Sequence, residues 1–417
     1  MDKAKSAHEI RNLHLQLQSR AARQQPGWSD PPQVRRMRDL LASRPMLVRA
    51  RDVLRLRSLL AEVAEGGALV VQAGDCAEDP DECLPEALQR KIAALHTLGN
   101  ALTVITGKPV LRAGRIGGQF AKPRSSPTEQ VGDRTLPAFR GHLVNDPAPT
   151  PECREPDPLR LLTGYMAASE IMEYLGWRGE RSLPQSDPPI WTSHEALLLD
   201  YEVPLVRQDE TAALILGSTH WPWVGERTRQ VDGAHVALLG EVANPVACKV
   251  GPRTTKDELL ALCERLDPDR EPGRLTLISR MGADFTAYRL MPLVESVAAA
   301  GHPVIWLCDP MHANTVATPE GQKTRLVKTL MREVTDFVPA VQVAGGVAGG
   351  LHLETTPDDV TECVIDESGF AQVGARYRTF CDPRLTLWQA VAVISAWGNR
   401  HSPIEQEGAR DARHTPY

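Results

Sequence analysis

The 417-residue chain carries no basic excess: 47 Lys and Arg stand against 53 Asp and Glu, a formal net charge of −6. General binding to nucleic acid or to anionic membranes needs a basic surplus or stripe, so any anionic partner must be met by a local cluster of cations. No segment approaches the roughly 18 apolar residues that a membrane span needs. The opening "MDKAKSAHEIRNLHLQ" has charges with no apolar stretch after them, and a cytoplasmic location is therefore expected. Cysteine is sparse, at positions 76, 83, 153, 248, 263, 308, 363 and 381, and most of these lie inside apolar runs such as "PVACKV" and "VIWLCDP". That usage favours reduced thiols over a disulfide framework. The glycines of "GRIGGQF" do not form GxGxxG opening a helix after a first strand, which argues against a dinucleotide site.

With 42% hydrophobic residues the chain can bury a sizeable core. Residues 1–65 read as a helical extension. In "SDPPQVRRMRDLL", Asp30 can cap, Pro31 suits a first turn, and Val34, Met37 and Leu41 share one face. From residue 66 short apolar runs alternate with helical segments, the rhythm of parallel strands joined by crossover helices. Eight such runs occur: 68–74, 109–114, 189–193, 213–218, 245–251, 275–282, 303–310 and 350–356. The prediction is an α/β fold, a (β/α)8 TIM barrel over 66–398 with the N-terminal helical extension 1–65. A Pro-, Arg- and Asp-rich excursion at 123–188, after strand 2, is too long for an ordinary connection and falls where loops build an active face. Residues 399–417 read as a polar C-terminal tail.

Nearly every run delivers a polar residue at its C-terminal end: Cys76, Arg115, His194 and Glu195, Glu226 and Arg227, Lys249, Arg280, Asp309 and His312, and Glu354, with Asp382 following in "CDPRL". In a barrel these ends share one mouth. Cys76, His312, Glu354 and Asp382 would offer one soft, one intermediate and two hard donors, suited to a divalent transition ion such as Mn²⁺, Co²⁺, Fe²⁺ or Zn²⁺. Arg115, Lys122, Arg124, Arg227, Lys249 and Arg280 form a second, cationic set that implies a ligand with one or two phosphates and a carboxylate. Taken singly, each has a blander reading, as a packing thiol, a cap or an ion-pair partner. The conjunction of four ligand types at four strand ends is what favours a metal. Cys83, seven residues beyond Cys76, is expected as a packing thiol at the start of the following helix rather than as a redox partner, although oxidation joining the two would disable a metal site at Cys76.

The motifs "GDCAED", "GRIGGQFAKPRS", "TSHEALLLDYE", "WVGERTRQVDGAHV", "KVGP", "SRMGAD", "DPMHANT", "GLHLETTPDDVTEC" and "CDPRL" occur in this order over about residues 66–390. In them the chain resembles the type II 3-deoxy-D-arabino-heptulosonate 7-phosphate (DAHP) synthases, and in "STHWPWVGERTRQVDGAHVALL" it is most similar to the short subgroup of phenazine and related secondary-metabolite pathways. The resemblance implies a TIM-barrel transferase that condenses phosphoenolpyruvate with erythrose 4-phosphate and water, releasing phosphate, with a divalent metal, Mn²⁺ or Co²⁺. It implies Cys76, His312, Glu354 and Asp382 as metal ligands. Arg115, Glu226, Arg227, Lys249 and Arg280 would bind phosphoenolpyruvate, with Lys249 and Glu226 catalytic, and Lys122, Arg124 and Ser125 would bind the aldose phosphate. Ala73, His142 and Ala313 depart from the family pattern, the last standing where glycine is usual. A homo-oligomer, dimer or tetramer, is expected. The alternatives are a related synthase using another aldose phosphate and a silent barrel that binds a chorismate-pathway enzyme.

Overall fold

A computed structural model describes residues 3–178, 189–211 and 213–398. The expected polar tail at 399–417 and the end of the excursion, 179–188, lie outside the described residues. Eight parallel strands close into a barrel: β1 (Leu69–Gly74), β2 (Val110–Arg115), β3 (Ile190–Glu195), β4 (Trp221–Val224), β5 (Val246–Val250), β6 (Leu275–Ser279), β7 (Ile305–Cys308) and β8 (Val347–Glu354). Each pairs with its sequence neighbour, and β8 returns to β1 with Gly74 opposite Glu354. Strands covered on both faces read as continuous apolar runs, which is why seven of the eight were legible. Gly74 is required where β1 meets β2, because a Cβ there would lie 2.8 Å from the Arg115 carbonyl oxygen.

The fourth strand corrects the sequence reading. The run at 213–218 is not in the barrel; Leu214–Leu216 pairs antiparallel with Val206–Gln208 in a separate two-stranded ribbon. Its place is taken by Trp221–Val224, whose Pro222 lacks a backbone donor and disguises the strand. The strand is short, meeting β3 through Ser193–Glu195 and β5 through only Trp223 and Val224.

Three helices precede the barrel: α1 (Lys3–Gln18), α2 (Pro31–Ser43) and α3 (Ala50–Ala64). In α2 the Asp30 carboxylate accepts the Gln33 N–H at 2.8 Å, and Val34, Met37 and Leu41 are buried as the spacing predicts. Val53, Leu56, Leu60 and Val63 of α3 are buried in the common core, each stabilising the packing by about 1.5–3 kcal/mol. The helix after β1, α4 (Pro85–Thr106), ends at Gly107 with φ +70°, a left-handed C-terminal stop. Past β8, Thr386 and Gln389 form a capping box that starts the helix Leu387–Ser395. Among the described residues, no helix is long and apolar enough to cross a membrane.

Candidate active site

The C-terminal ends of the strands surround a cavity of about 400 Å³. Its lining includes Arg115, Lys122, Arg124, Ser125, Glu226, Arg227, Lys249, Arg280, His312 and Asp382, so residues far apart in sequence do converge on one mouth. Glu354 and Cys76 lie just beneath, both buried.

At one side, donor atoms of His312, Glu354 and Asp382 lie within 4.8 Å of one another. The Cys76 sulfur adjoins them, accepting the Asp382 N–H at 3.4 Å. His312 Nδ1 lies 2.8 Å from Asp309 Oδ2. A carboxylate can only accept there, so Nδ1 carries the proton and Nε2, 3.6 Å from Glu354 Oε1, is left free to ligate. Burial pushes the Glu354 carboxyl up, but Lys122, His312, Arg325 and Arg115 together hold it well below the usual carboxylate range. Lys122 is the first cause of a similar lowering at Asp382, its Nζ 3.0 Å away. A hydrogen bond from Cys381 lowers the Cys76 thiol to about 6 against the opposing effect of burial. His312, Glu354 and Asp382 thus converge with two carboxylates held ionised and fit a divalent ion, while the Cys76 sulfur borders this trio without joining it.

The thiol beside Cys76 is Cys381, not Cys83. Cys83 points instead to Glu170, its sulfur 3.8 Å from Oε2. Cys83 ends the short turn just before α4, as a packing thiol at the start of that helix would, and the thiol that bonds Cys76 is Cys381.

Two buried charge networks fix the loops that bear these residues. Asp75, next to Cys76, accepts from Arg384 at 2.7 Å and pairs with Lys91 at 3.0 Å. Glu362 accepts the backbone N–H groups of Arg378, Thr379 and Arg384 at 3.1, 2.9 and 2.7 Å, clamping both ends of the loop that carries Asp382. Arg325, fully buried, donates to Glu354 Oε2 at 2.8 Å and to the Pro383 carbonyl. His142 braces the same loop, its ring 5.2 Å edge-on to both Phe380 and Phe139. Ala313 holds φ +67°, a conformation that favours glycine and accounts for the glycine usual at that position.

Around the rest of the mouth stand the cations. Arg115 Nη1 lies 3.3 Å from Glu354 Oε1, joining the cationic set to the candidate metal donors. Lys249 pairs with Asp309, and burial brings its ammonium down to about 8 despite that partner. Arg227 Nη2 donates to Ser125 Oγ at 2.5 Å, so it stands where the two expected phosphate subsites meet. Glu226 is held by Arg229 at 3.2 Å and lies 3.9 Å from Arg280.

Glu195 was noted as a strand-end residue but lay outside the expected site set. It lines the cavity, is buried, and its Oε1 has no hydrogen-bond partner among the described residues. Gly225 makes room for it, since a Cβ there would sit 2.0 Å from that oxygen. Burial raises its carboxyl, against Lys122, Lys249, Arg227 and Arg115. His352 and Trp223 also line the cavity and escaped the sequence reading. His352 shares the inward face with Glu354 at strand period two, a signal that could have found it. Arg325 lies in a short two-stranded ribbon outside the barrel rhythm, and no sequence signal marks it.

A model of the family described as "Class-II DAHP synthetase family" matches residues 13–178 and 170–396. A protein named a probable phospho-2-dehydro-3-deoxyheptonate aldolase, from Pseudomonas fluorescens, is 56% identical over 379 residues, covering 90% of this chain and 94% of the relative. Phospho-2-dehydro-3-deoxyheptonate aldolases from Streptomyces coelicolor and Mycolicibacterium smegmatis are 40% and 37% identical, covering 89% and 92% of this chain and 93% of each relative.

Proposed function

The chain belongs to the class-II DAHP synthetase family and condenses phosphoenolpyruvate with erythrose 4-phosphate to give DAHP and phosphate; on that premise we propose how its mouth divides the work. The observation that carries the division is one cavity with a convergent His312, Glu354 and Asp382 at one side and seven lysines and arginines around it.

Arg115, Arg227, Lys249 and Arg280 hold the phosphate and carboxylate of phosphoenolpyruvate, with Glu226 fixing Arg280 in place. Lys122, Arg124 and Ser125 take the aldose phosphate, and Arg227 touches both subsites. Holding two dianions side by side offsets their repulsion and converts an encounter into an oriented pair. Cys76, His312, Glu354 and Asp382 would hold a divalent ion, Mn²⁺ or Co²⁺, which when bound polarises the aldehyde oxygen as a Lewis acid. C3 of phosphoenolpyruvate attacks that aldehyde carbon, and water adds at C2.

The sequence reading assigns that water to Lys249 and Glu226. Glu226 is already engaged by Arg229, whereas Glu195 presents an unpartnered oxygen in the same cavity. Glu195 is therefore the better-placed acceptor for the water's proton, with Lys249 orienting it. Phosphate then leaves C2 with its bridging oxygen. The details of "STHWPWVGERTRQVDGAHVALL" support a role in supplying chorismate for a secondary metabolite such as a phenazine.

Lys249 supplies a pH test. Its ammonium is lost as pH rises through about 8 in the free enzyme, so kcat/KM for phosphoenolpyruvate is expected to fall above that pH. The bound anion stabilises the charged form, so the limb in kcat should move to higher pH. Both limbs are read from phosphate release across pH; a flat kcat/KM profile through pH 9.5 or so would remove Lys249 from phosphoenolpyruvate capture.

A further inference from the structure

Three non-glycine residues among those described hold a left-handed backbone: Gln24, Arg270 and Ala313. Arg270 is in an exposed turn and Ala313 follows the metal donor His312. Gln24, at φ +63°, lies in the segment between α1 and α2. Side-chain-bearing residues adopt this conformation rarely and persist in it where the surroundings over-determine it, often beside functional sites.

The surroundings of Gln24 do so. Arg20 donates to the Asp232 carbonyl at 3.2 Å and the Ala21 carbonyl accepts the Ala234 N–H at 3.0 Å, anchoring the segment to the loop after β4. The Gln25 amide is bonded to the Leu197 carbonyl at 2.8 Å and to the Leu199 N–H at 3.0 Å, anchoring it to the loop after β3. From that position Gln24 Oε1 accepts the backbone N–H of Arg124 at 2.9 Å, and its carbonyl accepts from Arg140 Nη2 at 2.8 Å. The Arg140 carbonyl in turn accepts the Lys122 N–H at 2.8 Å. The "KPR" backbone is thus suspended between Gln24 and Arg140.

Arg140 is half-buried and has no ion pair among the described residues; its guanidinium bonds are to Gln24 oxygens. Burial, and then the charge of Arg124, push it below its ordinary value. Arg124 is itself paired with Glu129, so the acid-free guanidinium of Arg140 held beside it keeps the local potential positive where an anion is to bind.

We propose that Gln24 is a positioning residue of the aldose-phosphate subsite, its left-handed backbone and side-chain amide fixing Arg124 and Arg140, so that the N-terminal segment completes the binding site. This rests on the assignment of Lys122, Arg124 and Ser125 to the aldose phosphate. Neither Arg227 nor Arg280 has a hydrogen bond to Gln24, and only Arg227 reaches the same loop, through Ser125, so the effect on phosphoenolpyruvate binding should be the smaller of the two.

The test is steady-state kinetics on the full-length, metal-loaded enzyme with KM determined for each substrate separately. Gln24→Ala and Gln24→Gly should each raise KM for erythrose 4-phosphate about tenfold, the loss of one well-placed hydrogen bond to the subsite. KM for phosphoenolpyruvate should stay within about twofold of the parent value. Glycine accepts φ +63° without strain, so it decides the matter if the alanine variant folds poorly. Arg124→Ala is the reference. If it raises the aldose-phosphate KM while folded Gln24→Gly does not, or if Gln24→Gly raises both KM values alike, the proposal is overturned and the subsite stands. If Arg124→Ala leaves that KM unchanged, the subsite assignment fails and the proposal falls with it.

Discussion

Cys76→Ala is expected to weaken divalent-ion binding a hundredfold or more and to abolish turnover at micromolar metal. Loss of a partner that merely orients a ligand costs about 10–100-fold in metal affinity, so loss of a donor should reach at least the upper end. The sulfur would be the one soft donor of the proposed set, and a hydrogen bond from Cys381 favours its thiolate. Folding should survive: the sulfur is buried among Thr379, Cys381 and Asp382, and removing it leaves no buried carboxylate unpaired, since Asp382 keeps Lys122 at 3.0 Å. Equilibrium binding of Co²⁺, read through the thiolate-to-metal absorption that wild type should show and the variant should lack, checks the prediction. Wild-type affinity in Cys76→Ala would exclude the sulfur from the ligand set.

The second large effect is at Lys249. Lys249→Ala should lower kcat/KM for phosphoenolpyruvate about a thousandfold, because removing one preorganised donor from a dry site already costs about 10²–10³, and this donor is a buried cation. Its removal also leaves Asp309 with His312 as its remaining basic partner, both on the loop after β7. Breaking a buried pair from one side costs about 3–5 kcal/mol, so the thermal transition should fall as well. Lys249→Met removes the same charge and the same Asp309 partner but fills the space, so it controls for lost volume alone; equal kcat/KM in the methionine variant and wild type would show that the ammonium does nothing for the substrate.

The barrel was legible because its strands are buried on both faces and read as apolar runs, and because strand ends carry the polar residues. The fourth strand was lost to Pro222, whose missing N–H is tolerable only because "WPWV" is short and pairs briefly with each neighbour. Cys76, His312 and Glu354 could be picked out as candidate donors from position alone, each standing at or just past a strand end, whereas Asp382 lies far along the loop after β8 and was singled out only by its motif. What supports them could not. Arg325, Glu362 and Arg384 act through contacts set by the packing of loops that have no period, and their sequence neighbourhoods look like ordinary solvated charge. Glu195 was visible as a strand-end acid, but its importance lies in having no partner, which only the three-dimensional arrangement of Arg115, Lys122, Arg227 and Lys249 makes meaningful. That Cys381 neighbours Cys76 was not legible for the same reason: the loop clamped by Glu362 brings it across from the far end of the chain.

The central claim is that the ends of β1, β7 and β8, with the loop after β8, build one divalent-ion site on which condensation depends. Phosphate release from phosphoenolpyruvate and erythrose 4-phosphate, measured after exhaustive chelation and again on titration with Mn²⁺ or Co²⁺, tests it most directly. The account predicts negligible release after chelation and full recovery at one ion per chain; undiminished release from metal-free enzyme would contradict it.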